Sequence, residues 1–391
     1  MKEPRISLCM IVKNEAARLP TCLASVRGVV DEVVVVDTGS TDGTPEVARA
    51  LGAALHPFAW TGDYAAARNE SLRQATGDWI LYLDPDERLT PEAGRLLRTL
   101  ARDETIDAVC LPERIEQAPG DLVPFVRSEY CRLFRNRPAF RFEGRSHEQI
   151  LPAIQRAGGR VRRAAAWIEH WAYADSPERR ARRVANNIGR LEEDLAAAPD
   201  DPFVHYNLGL TLWAGGETAR AIPHLERAAA APDLNPALRH EARLRLAQAH
   251  LALNLLEAAA AHAAAALADG GGSEAFARYV LATVAFERGR YAEAAAQLVT
   301  VRDLAAGDEA ALPVRRSLVH LHLGDCRFRE GDLAGAASAY LAALAEDPAL
   351  GEAWYNLAQC ERRRGGEAAA ALEARAKKIL NGPPPLVVRQ S

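Results

Sequence analysis

Glu32-Val33-Val34-Val35-Val36-Asp37, running on into Thr38-Gly39-Ser40-Thr41-Asp42-Gly43-Thr44, decides the fold. The first part is short, apolar and β-branched, which predicts a strand buried on both faces. The second is rich in Gly, Ser and Asp, the residues of turns and helix caps. Working outward, Ile6-Ser7-Leu8-Cys9-Met10-Ile11-Val12 and Trp79-Ile80-Leu81-Tyr82-Leu83-Asp84 read as two more such strands. Helical stretches at 16–26, 44–51 and 64–75 fill the intervals. This βαβα order predicts a largely parallel sheet with right-handed crossovers. Residues 108–170 lose the pattern and are expected to form loops of a substrate-binding half.

Open parallel sheets bind ligands outside the carboxyl ends of their strands. An acidic cluster stands at each of these ends: Asn14-Glu15, then Asp37 to Thr44, then Asp84-Pro85-Asp86-Glu87. A single cluster is ordinary turn and cap chemistry. Recurrence in order at successive strand ends marks a ligand crevice.

Ser7-Leu8-Cys9-Met10-Ile11-Val12-Lys13-Asn14-Glu15, Val35-Val36-Asp37-Thr38-Gly39-Ser40-Thr41-Asp42-Gly43-Thr44, Ala67-Arg68-Asn69 and Leu83-Asp84-Pro85-Asp86-Glu87 follow one another as motifs do in family-2 glycosyltransferases of the GT-A fold. Residues 5–175 resemble that family, in wording similar to the branch of lipopolysaccharide-core β-glucosyltransferases and sublancin-type peptide S-glycosyltransferases. The resemblance implies a UDP-sugar donor lined by Val12, Asn14, Glu15, Asp37, Gly39, Ser40, Arg68 and Asp84. In it Asp37 accepts from the uracil N3–H, Glu15 sits near the uridine, and Arg68 neutralises a phosphate or orders the metal loop. Asp84 and Asp86 form an Asp-x-Asp pair that holds Mn²⁺ or Mg²⁺. A hard cation on carboxylates suits the charge that develops on a departing diphosphate.

Direct displacement also needs a base for the acceptor. The resemblance extends to Gly144-Arg145-Ser146-His147-Glu148, and either His147 or Glu148 suits that task; a structural pair fixing a loop is the competing reading. Asp63 is expected to cap the helix that carries Arg68. His170, beside aromatics, reads as structural, with a metal or phosphate contact as the alternative. The basic runs Arg160-Val161-Arg162-Arg163 and Arg179-Arg180-Ala181-Arg182-Arg183 read as a solvated helix face balanced by Glu192, Glu193 and Asp194, against an acidic acceptor or lipid head group.

The second half repeats itself. Leu208-Gly209, Leu246-Ala247, Leu281-Ala282, Leu323-Gly324 and Leu357-Ala358 are each followed seven residues on by Gly216, Asn254, Gly289, Gly331 or Gly365. Ala221, Ala259, Ala294, Ala336 and Ala370 follow twelve residues on. The pattern resembles the tetratricopeptide repeat, an all-α solenoid, in five units. Gly or Asn supplies the positive φ that ends a first helix, and the small residues let two helices approach. The Ala-rich run 258–266 is expected to be a packed helix.

A chain of 391 residues exceeds a single growing core. The expected division is a GT-A domain at 1–175, a linker helix at 176–199, repeats at 200–381 and a tail at 382–391. A net charge of -4 gives no reason to expect nucleic acid. No segment has the apolar length of a transmembrane span, no signal peptide is evident, and six scattered cysteines fit a reducing cytoplasm. The leading functional expectation is an inverting hexosyltransferase acting on a protein or peptide Ser/Thr hydroxyl or Cys thiol, its repeats binding the acceptor or pairing protomers as a homodimer. A glycan acceptor in polysaccharide or lipopolysaccharide synthesis is the alternative. A non-catalytic repeat adaptor is the alternative of another class, and the unbroken acidic set speaks against it.

Overall fold

The computed structural model describes residues 3–116, 125–145, 147–170, 177–269, 274–305 and 314–380. The expected tail, Ser146 and the side chains of Arg179 and Arg180 lie outside the described residues. The chain forms two compact units, one running to Pro199 and the other starting at Asp200.

The first unit contains, in chain order, β1 (Ile6–Val12), α1 (Leu19–Ser25), β2 (Glu32–Asp37), α2 (Thr44–Ala50), β3 (Ala54–Pro57), α3 (Tyr64–Gln74), β4 (Trp79–Tyr82) and β5 (Glu87–Leu89). There follow α4 (Pro91–Ala101), β6 (Ala108–Glu116), β7 (Phe125–Arg135), α5 (Leu151–Arg156), β8 (Val161–Arg163), β9 (Ile168–His170) and α6 (Pro177–Ala197). The sheet order is β3-β2-β1-β4-β7-β6-β9-β5, with β8 also on β6. β3, β2, β1 and β4 run parallel, with Val12 opposite Asp37 and Cys9 opposite Tyr82. The carboxyl ends that carry the acidic clusters therefore share one edge.

Period-2 alternation buries both faces of β1. Ile6, Leu8, Met10 and Val12 pack with α1 and α4 through Leu19, Leu23, Leu97 and Leu100. Cys9 faces the other way, toward Leu72 of α3 and Ile154 of α5. Helices thus cover a mixed sheet on two sides.

Three expectations fail here. Helix α1 begins at Leu19 rather than at 16, because Asn14 is in the left-handed region (φ 59) and Pro20 occupies the first turn. The described residues between 108 and 135 are strand rather than loop: β6 and β7 form a long antiparallel ladder, with β7 antiparallel to β4 as well. Pro112, which cannot donate, disguises β6. It sits between the stretches of β6 paired to β8 and to β9, where only the β7 ladder flanks it. The first basic run is likewise strand rather than helix: Arg160 pairs with Asp107, Arg162 with Asp103 and Arg163 with Glu129.

The second unit is helical throughout its described residues: α7 (Pro202–Ala214), α8 (Thr218–Ala230), α9 (Pro236–Ala252), α10 (Leu256–Ala268), α11 (Glu274–Glu287), α12 (Tyr291–Ala305), α13 (Arg316–Arg329), α14 (Leu333–Glu346), α15 (Gly351–Arg363) and α16 (Ala369–Leu380). Consecutive helices pack as pairs. Gly216, Asn254, Gly289, Gly331 and Gly365 all adopt the positive φ that the pattern requires. A Cβ on Gly209 would meet Leu225 at 2.7 Å, and one on Gly324 would meet Tyr340 at 2.5 Å, so these glycines set the helix spacing. Ala221, Ala259, Ala294 and Ala336 are fully buried. Ala370 is exposed, contrary to the pattern, and Ala369 is buried instead. The cause is local: α8 starts two residues after Gly216, whereas α16 starts four after Gly365, which slips the register. The run 258–266 lies within α10 and buries Ala259, Ala263 and Ala266.

Candidate active site

The loop after β1 and the loop after β2 lock onto each other. Thr38 N and Oγ1 donate to the Val12 carbonyl, both at 3.0 Å. Asn14 N donates to Ser40 Oγ at 2.9 Å, and its side-chain Oδ1 accepts from Thr41 N at 2.7 Å. Glu15 N donates to Thr44 Oγ1 at 2.7 Å. Asp37 accepts from Ser40 N at 3.2 Å through both oxygens, and Gly39 turns the chain at φ 101. The Glu15 carboxylate pairs with Arg18 at 3.1 Å.

The loop after β4 is held by Glu87, whose Oε2 accepts from Asp84 N at 2.8 Å while Glu87 N donates back to the Asp84 carbonyl at 3.0 Å. Glu87 belongs to a buried charge cluster with Arg132 of β7 and Glu113 of β6. Burial pushes Glu87 up to about 8, beside the Arg132 guanidinium and the Glu113 carboxylate. His170 Nδ1 lies 2.6 Å from Glu113 Oε1 and its Nε2 lies 3.1 Å from Asp86 Oδ2. Burial disfavours the imidazolium, but the two carboxylates outweigh it and raise His170 to about 11. Burial likewise works against the Asp86 anion, and the His170 partner holds that carboxyl below its usual value. In this structure His170 thus contacts Asp86 itself.

Arg68 connects this loop to the later half. It is 7% exposed, donates through Nη2 to Asp84 Oδ1 at 2.8 Å and pairs through Nε with Glu148. Its Nη1 has no hydrogen-bond partner among the described residues. The rings of Tyr82 and Phe142 flank the guanidinium at 5.0 and 5.6 Å. The neighbouring Asn69 clamps the backbone of Phe142, donating to its carbonyl at 2.9 Å and accepting from its N–H at 2.8 Å. Asp63 caps α3 by accepting from Ala66 N at 2.9 Å.

His147 and Glu148, alike by sequence, differ in setting. A short bridge between Glu143 and Gln149 folds the loop back, with His147 left-handed at φ 53 and exposed. Glu148 points inward onto Arg68, its side chain 10% exposed. Sequence reading gave no role to Glu113 or Arg132. An available signal was residues 125–135, free of Gly and Pro and carrying the aromatic residues Phe125, Tyr130 and Phe134 that strands favour.

Residues 7–166 match the model of glycosyl transferase family 2, and residues 206–380 are spanned by overlapping matches to the tetratricopeptide repeat. A TPR repeat-containing protein of Synechococcus elongatus is 38% identical over 62% of this chain and 61% of its own length. The SPbeta prophage-derived glycosyltransferase SunS of Bacillus subtilis is 28% identical over 57% of this chain and 53% of its own. An uncharacterized glycosyltransferase of Rickettsia felis is 43% identical over 22% of this chain and 31% of its own. The matches thus cover less than two thirds of each relative. No described helix is long and apolar enough to cross a membrane. The chain carries a family 2 glycosyl transferase domain of α/β architecture, followed by an all-helical array of tetratricopeptide repeats.

Proposed function

We propose that this chain transfers a hexose, with inversion, from a UDP-sugar to a Ser/Thr hydroxyl or Cys thiol of a protein or peptide. The observation that carries the reading is Arg68, which ties Asp84 of the strand-end loop to Glu148 of the later half in one buried pair of contacts. Donor-side and acceptor-side groups are thereby held together.

The donor set fits a hard divalent ion. Asp84 is 35% exposed with one oxygen on Arg68, and Asp86 keeps an oxygen beyond the one that meets His170. Mg²⁺ and Mn²⁺ take one or two such carboxylates together with phosphate oxygens, and neutralise the charge of the departing diphosphate. Glu87 and His170 keep the two aspartates in place. The Asp37 carboxylate has lone pairs beyond those used by Ser40, and accepts from the uracil N3–H. Arg68 orders Asp84. Glu148 takes the proton of the acceptor, the freed oxygen or sulfur bonds to the sugar C1, the bond from C1 to the phosphate oxygen breaks, and UDP leaves. His147, exposed on its turn, is the weaker candidate for that base.

A protein or peptide acceptor is favoured by the repeats, since stacked helix pairs build extended binding surfaces. That step is fold-level analogy. The same surfaces suit pairing of protomers.

Calorimetry with UDP and GDP in the presence of Mn²⁺ tests the donor assignment. UDP binds more tightly, and Asp37→Ala weakens UDP by on the order of 10-fold, the scale of one lost hydrogen bond to a charged group. Tighter GDP binding, or unchanged UDP affinity in Asp37→Ala, overturns it.

A further inference from the structure

The repeats hold a set of donors that glycosyl transfer does not use. Glu226 of α8, His250 of α9 and His262 of α10 each offer a ligand atom, and the three atoms lie within 4.8 Å of one another. His250 is the fixed member. It is 7% exposed and its Nδ1 lies 2.8 Å from the Leu246 carbonyl. That bond assigns the proton to Nδ1 and leaves the Nε2 lone pair for a ligand, as in metal-binding imidazoles. His262 stacks on His250 with centroids 5.1 Å apart and planes 13° apart, and Glu226 is exposed beside them.

We infer that Glu226, His250 and His262 form a binding site for a divalent ion of the zinc class, pinning the second helix of the first repeat to both helices of the second. Two imidazole nitrogens and one carboxylate, with a fourth position left to water, are a recurrent zinc donor set. Donors at 2.0–2.2 Å from a tetrahedral ion stand roughly 3.4 Å apart, so closure needs a movement of about 1–1.5 Å, and the His262 ring turns out of its stack on His250 so that both in-plane lone pairs meet at the ion. Exposed Glu226 and half-buried His262 have that freedom, and buried His250 need not move. Burial and the neighbouring His250 ring keep His262 below the ordinary imidazole value, so its lone pair is available at neutral pH. The nearby Arg243 is engaged by Asp269. Imidazole stacking for packing alone accounts for His250 and His262, and the exposed Glu226 carboxylate beside them completes a three-donor set.

The test uses the full chain without a polyhistidine tag, stripped of metal and titrated with Co²⁺ in excess Mg²⁺. Geometry separates this site from an oxygen-only one, because tetrahedral Co²⁺ absorbs strongly in the visible and octahedral Co²⁺ weakly. The expected result is an intense band saturating at one equivalent, abolished by Zn²⁺. His262→Ala lowers affinity by more than about 100-fold, above the roughly 10–100-fold range for losing an outer-shell partner. Asp86→Asn keeps the band. Zn²⁺ raises the melting temperature of the wild type and not of His262→Ala. No band, a band indifferent to His262→Ala, or a band lost with Asp86→Asn overturns the inference.

Discussion

A guanidinium as buried as that of Arg68 is stable only when carboxylates meet it, and it meets Asp84 and Glu148. The charge balance of the site therefore rests on three side chains from separate stretches of sequence. Truncating Glu148 would strand the guanidinium, so the informative substitution is Glu148→Gln, which keeps an acceptor oxygen for Arg68 while removing the base. Steady-state kinetics on this variant should show KM for the donor within about 3-fold of wild type and kcat lower by on the order of 10²–10⁴, the usual worth of a general base. His147→Ala should stay near the wild-type rate. The reverse pattern would transfer the base role to His147.

At the scale of elements, the pair α13 and α14 encloses Asp325, which accepts from Tyr340 Oη at 2.8 Å and from Asn356 Nδ2 of α15 at 2.9 Å. Burial pushes Asp325 up to about 7 from its ordinary 3.8. A carboxyl raised on folding binds more protons in the folded than in the unfolded state. Its contribution to stability is therefore largest below the unfolded value and declines as pH rises from about 4 to about 7. Asp325→Asn keeps both acceptor contacts without the proton. Melting curves should show the wild type losing ground to Asp325→Asn by several °C between pH 5 and 8, of the order expected for a shift of a few kcal/mol. Parallel curves for the two proteins would contradict the account. How legible such features were in the sequence depended on their range. The positive φ at Gly216 and Asn254 and the buried strand 32–37 follow from local chemistry, and the sequence states them. The site was legible as far as strand-end carboxylates go. What stayed hidden depends on long-range pairing: Arg132 and Glu113 meet Glu87 only because β7 and β6 extend the sheet beyond β4, and nothing within residues 108–135 announces that neighbour. The slipped register at Ala369 escaped for a local reason, a longer turn after Gly365.

At the scale of the whole molecule, each unit has its own core, and α6 belongs to the first: Arg190 donates to Tyr64 Oη at 2.6 Å and lies 5.7 Å over Trp60. A chain ending at Pro199 therefore keeps α6 on α3. Sedimentation and UDP calorimetry should find that fragment folded, with donor affinity within about 3-fold of the full chain, while transfer to the natural acceptor falls by at least about 10-fold or a dimer is lost. Full-rate transfer by the fragment, in an unchanged oligomeric state, would place the role of the repeats outside the reaction. Metal-assisted sugar transfer at the shared edge of β1, β2 and β4 stands or falls on release of UDP from a panel of UDP- and GDP-sugars in Mn²⁺ and in EDTA. The expected result is release from at least one UDP-sugar in Mn²⁺ or Mg²⁺, none in EDTA, and a rate lower by on the order of 10²-fold or more in Asp86→Asn. Undiminished release in EDTA, or by Asp86→Asn, would contradict it.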